Sequence, residues 1–210
     1  TLAIVDARIC YIDTDGGRAA HYAIAEGELP SADPLEPRFA FVHVQFKPPF
    51  TPERLTSIYE RAEAKGFKVC ITDSFSLIWE GEGGIKDIHD VDAEAAVTRA
   101  LEKFKKYGGK FPPDEDKIRG DAGHWKNAKT RHRKMVTRIL QSRMHLIFCG
   151  HADDKMRMES KEETNERSGR TFTKTEVTPA AKLEPKDRWV PICEKKFPRQ
   201  LVVSVVLDPE

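Results

Sequence analysis

The sequence predicts an α/β protein with a mostly parallel central sheet flanked by helices. Short apolar segments rich in β-branched residues alternate along the chain with amphipathic segments of helical period, an order typical of βαβ units. The segments predicted as strands are nearly continuous in apolar character, which favours burial on both faces of a parallel sheet. Three of these strands end in polar side chains, at the position where such sheets bind ligands.

The first strands are predicted from apolar runs that end at a carboxylate or a proline pair. Their ranges are Arg8–Asp13, Phe39–Phe46 and Phe67–Asp73. Between the second and third runs, Thr51 is expected as a helix N-cap with Pro52 at the first helical position. Gly66 is expected just beyond the end of that helix.

The middle of the chain is predicted to be helical. Asp92–Tyr107 and Trp125–Gln141 each place apolar residues on one face at helical spacing. The segment Phe111–Gly123 is rich in proline, glycine and acids and is predicted as a loop. We interpret the span 88–123 as a helical insertion in the sheet-forming chain.

The last third of the chain combines two apolar runs with one polar span. Strands are predicted at Met144–Gly150 and Leu201–Leu207, and the polar span 155–177 is interpreted as a β-hairpin or a mobile loop. A chain of 210 residues is long enough for one domain with a substantial core, so a single domain is expected over 1–210.

Composition excludes several classes of protein. With 35 Lys and Arg against 34 Asp and Glu, the net charge of +1 argues against a nucleic-acid binder that relies on bulk charge. The apolar runs are too short to span a bilayer, and the start TLAIVDA lacks the basic flank of a signal peptide. We therefore expect no membrane partner and a cytoplasmic location, with the four cysteines reduced because no CxxC spacing occurs.

Acidic side chains at two strand ends indicate a metal and phosphate site. Asp73, followed by Ser74, can hold Mg²⁺ at the end of a buried strand, although a carboxylate there can also simply cap the next turn. Asp15, just past a neighbouring strand, can orient or deprotonate a water molecule. The alternative for Asp15 is a turn aspartate beside Gly16 and Gly17.

Several blocks resemble one family in the same order. Ile71 to Gly84 resembles the IDS…WEGEGG signature of phage-type, RecA-like ATP-binding proteins, an AAA-domain family of P-loop NTPases. The resemblance covers most of the chain, from about Arg8 to Leu207. Further matching blocks are Tyr11–Gly16, Pro49–Arg54, His124–His132, Ile139–Ser142, His145–Ile147 and Thr173–Val177.

The resemblance implies a RecA-like core that binds ATP with Mg²⁺ and acts in phage recombination or replication, as a homo-oligomer inside a phage-infected or prophage-carrying bacterium. Asp73 matches the Walker B carboxylate, and Ser74 follows it. Asp15 takes the place of the catalytic glutamate, one methylene shorter. His151 lies where such proteins sense the γ-phosphate, although a surface histidine in a turn is the alternative. Glu80, in the signature, is a candidate to hold metal or to contact a neighbouring active site; a solvated turn is the alternative.

One element of the family pattern does not occur in this sequence. Family members carry a GxxxxGK[ST] loop whose backbone amides and lysine cradle the phosphates. The segment Thr1–Ala7 resembles the helix that follows such a loop, so Thr1 is expected to be the last residue of the loop or its successor. Either the loop precedes Thr1 in the natural protein, or the protein has lost it.

Clustered basic residues suggest a second surface. Lys129, Arg131 and Arg133 lie on the predicted helix Trp125–Gln141. They are candidates to contact DNA, single-stranded DNA in the first place, or an adjacent subunit; the alternative is a solvated helix face. Lys196 and Arg199 precede the last predicted strand and are candidates to act across a subunit interface, or else form a basic turn.

The predicted function is therefore ATP binding, with ATP hydrolysis, in an oligomer that acts on DNA. Two alternatives stay open: a catalytically degenerate adaptor that keeps the fold, and a DNA-binding module in which the nucleotide only supports assembly. The missing phosphate loop and the shorter side chain at Asp15 favour the adaptor. Asp73 and the complete WEGEGG signature favour the enzyme.

Overall fold

The computed structural model describes residues 8–24, 39–154, 157–164, 171–178 and 188–205. The chain divides into two compact units, Thr1–Gly150 and His151–Glu210. A single domain over 1–210 with an insertion at 88–123 stays a prediction. Each unit is described by itself.

The first unit is built on a sheet of four strands, β1 (Ile9–Asp13), β2 (Val42–Gln45), β3 (Val69–Asp73) and β4 (His145–Phe148). All strand pairs are parallel, and the order across the sheet is β2-β1-β3-β4. The prediction of an α/β fold with a parallel sheet is confirmed. The outer strands β2 and β4 are partly exposed, so burial on both faces does not extend to the sheet edges.

Helices connect these strands. The first helix, α1 (Pro52–Ala64), starts as predicted: the Thr51 side chain accepts a hydrogen bond from the Arg54 N–H, and Pro52 is the first helical residue. Gly66, with φ of 77°, follows the helix end in the left-handed region that glycine tolerates. The helices of the first unit are α1 (Pro52–Ala64), α2 (Ser76–Glu80), α3 (Ile85–Tyr107), α4 (Glu115–Arg119) and α5 (Trp125–Leu140).

Two helical predictions need correction. Helix α3 begins at Ile85 rather than Asp92, because the chain becomes helical immediately after Gly84. The segment predicted as a loop over Phe111–Gly123 contains α4, whose N-cap Asp114 accepts from the Lys117 N–H at 3.0 Å. A local cap followed by acids in the first turn outweighs the proline and glycine content there.

One face of the sheet belongs to the core. Cys10, Ile12, Cys70 and Thr72 are buried on this face, and the hydroxyl of Tyr59 in α1 lies 2.7 Å from Thr72 Oγ1. Helix α5 packs beside α1. Because side chains alternate along a strand, the residues between these four point to the opposite face.

The second unit contains two antiparallel pairs. Strand β5 (Ala152–Asp154) pairs with β8 (Trp189–Pro191). Strand β6 (Arg157–Thr164) pairs with β7 (Thr171–Thr178), which overlaps the span 155–177 interpreted from the sequence as a β-hairpin or a mobile loop. The strand predicted at Leu201–Leu207 is wrong over 201–205. Those residues pair with no strand among the described segments, and Val202 and Val203 are exposed. No helix in the described segments is long and apolar enough to cross a membrane.

Candidate functional site

A pocket of about 390 Å³ opens where β1 and β3 end. This volume falls within the range of about 300–1,000 Å³ that is typical of small-molecule sites. Its wall combines aromatic rings with three carboxylates and one guanidinium. The lining residues are Tyr11, Asp13, Asp15, Arg18, Ala19, Tyr22, Phe39, Phe41 and Asp73.

The ends of the two strands are held together by backbone contacts. The Thr14 N–H donates to the Asp73 carbonyl at 2.7 Å, and the Ser74 N–H donates to Thr14 Oγ1 at 2.6 Å. Thr14 Oγ1 in turn donates to the Ser74 carbonyl at 3.1 Å. These bonds fix Asp13 and Asp73, which are register partners, side by side at the pocket.

Asp13 holds the loop that follows β1. Its side chain is buried and accepts the backbone N–H groups of Asp15 at 2.8 Å and of Ala19 at 3.0 Å. His43 Nε2 lies 3.0 Å from Asp13 Oδ2. Burial raises the pKa of this carboxyl, but the bonds from His43 and the backbone amides outweigh burial and lower the pKa below its usual value. Asp13 therefore stays ionised and shapes the pocket wall.

Asp73 has one bound and one open oxygen. The Tyr11 hydroxyl donates to Asp73 Oδ2 at 2.7 Å, whereas no donor among the described residues bonds to Oδ1. Burial raises the pKa of Tyr11, and its hydrogen bond to Asp73 and the charge of that carboxylate raise it further. Tyr11 accordingly remains a protonated donor at neutral pH.

Asp15 reaches the same pocket from the loop after β1. Its carboxylate is half-exposed and forms an ion pair with Arg18 at 3.3 Å. The structure thus brings together two residues that the sequence nominated, Asp15 and Asp73, at one pocket. Ser74 is buried and accepts from the Ser76 N–H at 3.3 Å, and it does not line the pocket.

The WEGEGG segment forms a tight turn between α2 and α3. The Glu82 carbonyl accepts a hydrogen bond from the Phe50 N–H at 2.6 Å, so the turn is bonded to the segment that leads into α1. A Cβ on Gly81 would lie 2.7 Å from the Phe50 ring, and one on Gly83 would lie 2.5 Å from Pro49 Cβ. Gly81 and Gly83 are thus required by packing against Phe50 and Pro49.

Glu80 is placed by the same turn. Its carboxylate lies 3.4 Å from Lys86 Nζ, and it is not among the residues that line the pocket. The structure therefore does not bring Glu80 to Asp73 at that site. A catalytic role for Glu80 stays a prediction.

The basic residues of α5 fall into two sets. Arg131 is engaged within the unit, because its Nε and Nη2 donate to both carboxylate oxygens of Glu53 in α1, at 2.7 and 2.6 Å. Lys129 and Arg133 are exposed, and among the described residues neither has an acidic partner. The Lys129 ammonium lies 5.8 Å from the centre of the Trp125 ring.

The remaining candidates lie elsewhere in the chain. His151 belongs to the second unit, where its carbonyl accepts the Ile192 N–H at 2.9 Å. In the same unit, Lys196 caps a short 3₁₀ helix, Phe197–Gln200, which contains Arg199. Thr1 lies outside the described residues. The roles predicted for these four residues stay predictions.

Sequence reasoning missed Tyr11 and His43, which bond to the acids of the pocket. His43 is the register partner of Tyr11 in β2, and Ile71 is its partner in β3. His43 and Ile71 each lie two residues before the position of their own strand that is level with Asp13 or is Asp73 itself. Side chains two residues apart on a strand point to the same face, so Tyr11 and His43 lie on the face of these two acids. A period of two along each strand was readable from the sequence, but the strand order and register that bring these side chains to the acids were not.

The donor set of the pocket suits a metal ion that is shared with a bound phosphate. Within the described ranges, no group of three or more His, Cys, Asp or Glu side chains could hold a metal by itself. Mg²⁺ is commonly held by one or two carboxylates together with substrate phosphates. Asp73, with its open Oδ1, is the carboxylate of the pocket that could hold such an ion together with a phosphate.

Comparison of this chain with protein-family models, with curated proteins and with solved structures finds no match.

Proposed function

We propose that the pocket at the ends of β1 and β3 binds ATP with Mg²⁺ and hydrolyses it, on a RecA-like P-loop ATPase core. The observation that carries this proposal is that Asp15 and Asp73 line one pocket at the carboxyl ends of adjacent parallel strands. Open parallel sheets bind their ligands at this edge. The order β2-β1-β3-β4 and the flanking helices are compatible with such a core.

The roles of the side chains follow from their surroundings. Asp73 would hold Mg²⁺ through Oδ1, the oxygen that Tyr11 leaves open. The ion, when bound, neutralises charge on the β- and γ-phosphates. Asp15 orients the attacking water and accepts its proton, and Arg18, its ion-pair partner, places a positive charge beside the phosphates.

Ligand-induced stabilisation tests this proposal directly. Mg-ATP at about one hundred times its Kd should stabilise the protein by about 2.7 kcal/mol, seen as a rise in melting temperature. Asp73→Asn keeps the shape of the side chain and removes the charge, and it should abolish the rise and ATP turnover. Asp116→Asn, a change at an exposed carboxylate of α4, is the matched control.

The outcomes separate the enzyme from its rivals. Binding without turnover would favour the module in which the nucleotide supports assembly. No shift of the wild-type protein at millimolar Mg-ATP would overturn the proposal and favour the adaptor. A shift that survives in Asp73→Asn would show that the site is assigned to the wrong residues.

We further propose that the ATPase acts on single-stranded DNA as a homo-oligomer, during phage-type recombination or replication in the bacterial cytoplasm. The support is the exposed face of α5, where Lys126, Lys129 and Arg133 lie at helical spacing and form no ion pair with an acid among the described residues. Arg131 does not contribute, because Glu53 engages its guanidinium. The hydrogen bond from Arg131 lowers the pKa of Glu53, and the charge of Lys134, which is also exposed, lowers the pKa of that carboxyl further.

Charge reversal and salt dependence test the DNA contact. Arg133→Glu should weaken binding to an oligonucleotide and make it less dependent on salt, because each lost phosphate contact reduces the slope by about 0.7 for single strands. Arg99→Glu, at an exposed position of α3, is the control for a change of net charge. Binding that is insensitive to salt would contradict the DNA proposal and leave the ATP proposal standing.

A further inference from the structure

We propose that Tyr11 is a positioning residue that sets the metal preference of the pocket, favouring Mg²⁺ over Ca²⁺ as the ion held by Asp73. The inference rests on the proposed function and adds to it a determinant of cation specificity. It starts from the bond between the Tyr11 hydroxyl and one oxygen of the Asp73 carboxylate, at 2.7 Å.

The register of the sheet creates this bond. Tyr11 in β1 is level with Ile71 in β3, two residues before Asp73, so the tyrosine and the carboxylate share one face. The Tyr11 ring also contacts the Phe41 ring, with ring centres 5.3 Å apart. The hydroxyl is therefore directed at Asp73 by contacts that do not depend on a ligand.

The consequence is an asymmetric carboxylate. Oδ2 is occupied by a donor, and Oδ1 has no donor among the described residues. A cation that approaches from the pocket therefore meets one available oxygen of Asp73. Binding through both oxygens would require the ion to displace the Tyr11 hydroxyl.

Mg²⁺ and Ca²⁺ respond differently to a single-oxygen ligand. Mg²⁺ demands near-ideal octahedral geometry, and the narrow span of a two-oxygen carboxylate fits that geometry poorly. Ca²⁺ is larger, takes about 6–8 oxygen ligands and readily accepts both oxygens of one carboxylate. Occupation of Oδ2 by Tyr11 thus costs Ca²⁺ a ligand and costs Mg²⁺ none.

The test is the ratio of the Kd values for Ca-ATP and Mg-ATP, measured on the full chain by equilibrium titration. Tyr11→Phe removes the hydroxyl and keeps the ring that packs on Phe41. We expect the variant to shift the ratio toward Ca²⁺ by about tenfold, the order of effect of a hydrogen bond to a charged group. Tyr107→Phe removes a hydroxyl at an exposed position of α3 and should leave the ratio unchanged.

A structural role alone would weaken both complexes equally and leave the ratio constant. An unchanged ratio in Tyr11→Phe, or loss of both complexes in that variant alone, would overturn the selectivity role while the wild-type protein still binds Mg-ATP. Failure of the wild-type protein to bind either complex would overturn the proposed function itself. The two failures are therefore distinguishable in one set of titrations.

Discussion

The turn at Gly83 offers the sharpest test of how the WEGEGG segment works. Gly83 has φ of 76°, and a Cβ added there would lie 2.5 Å from Pro49 Cβ and 3.5 Å from the Phe50 nitrogen. Gly83→Ala therefore introduces backbone strain and a clash in one step. The clash involves a proline ring carbon close to the backbone, which has little freedom to move aside.

The expected cost follows from these two effects. A non-glycine residue in the left-handed region costs about 1–2 kcal/mol. Forcing a methyl group into a filled site costs a further 1–3 kcal/mol or so. The reduced entropy of the unfolded chain returns about 0.4–1 kcal/mol. We expect Gly83→Ala to lower the free energy of unfolding by about 2–4 kcal/mol, with a fall in melting temperature of roughly 4–16 °C.

Gly66 provides a matched control. It has φ of 77°, and a Cβ built there meets nothing within 4 Å. Gly66→Ala should therefore carry the strain without the clash, and its net cost should be about 1 kcal/mol or less. The stability of both variants can be measured by denaturant unfolding followed by tryptophan fluorescence. Trp79, which belongs to the WEGEGG segment, stacks on Trp125 with ring centres 5.9 Å apart and reports on the fold there. Equal losses in the two variants would refute the packing explanation of the signature glycines.

Three further predictions concern the charged groups. Asp13→Asn should lower the free energy of unfolding at neutral pH and make that free energy less dependent on pH in acid. The pKa of Asp13 is depressed in the folded protein, so the stabilisation by its carboxylate is present above the unfolded pKa of about 3.9 and is lost as pH falls through the folded pKa. Unfolding measured as a function of pH checks this. Arg131→Ala should lower the free energy of unfolding by about 1 kcal/mol, and Arg133→Ala by under about 0.5 kcal/mol, in denaturant titrations; a larger effect at Arg133 would contradict the assignment. Burial raises the pKa of the Cys149 thiol, and the charge of Asp73 raises it further. Asp73→Asn should therefore speed the reaction of Cys149 with a thiol reagent at fixed pH, because more of the thiol is ionised. An unchanged rate would exclude this charge effect.

Features that depend on neighbouring residues were predictable from the sequence. The N-cap Thr51 with Pro52, and the strand that ends at Asp73, were located from a few adjacent side chains. The parallel arrangement followed from the alternation of strands and helices. Such signals are local, because a cap or an apolar run needs only a few residues to be recognised.

Features that depend on distant partners were not predictable. The bonds from Tyr11 to Asp73 and from His43 to Asp13 require the register of three strands, which no local pattern encodes. The apolar run that starts at Leu201 has the composition of a strand but finds no pairing partner in the described segments. A strand forms only where another strand pairs with its backbone hydrogen-bonding groups, so composition alone predicted a strand at Leu201 that the described residues do not form.

The register of β1 against β3 determines both which side chains enter the core and which line the pocket. Pairing β1 with β3 so that Cys10 lies level with Cys70 and Ile12 with Thr72 buries these four side chains on the face where Tyr59 of α1 bonds to Thr72. Because side chains alternate, the same pairing must place Tyr11 and the strand-end acids together on the opposite face. A slip of one residue would expose the apolar core side chains and remove the acids from the hydrogen bonds that keep them ionised, and both changes cost free energy. The position of the carboxylates is thus enforced by the core and does not depend on a ligand, which is the condition for a preorganised site.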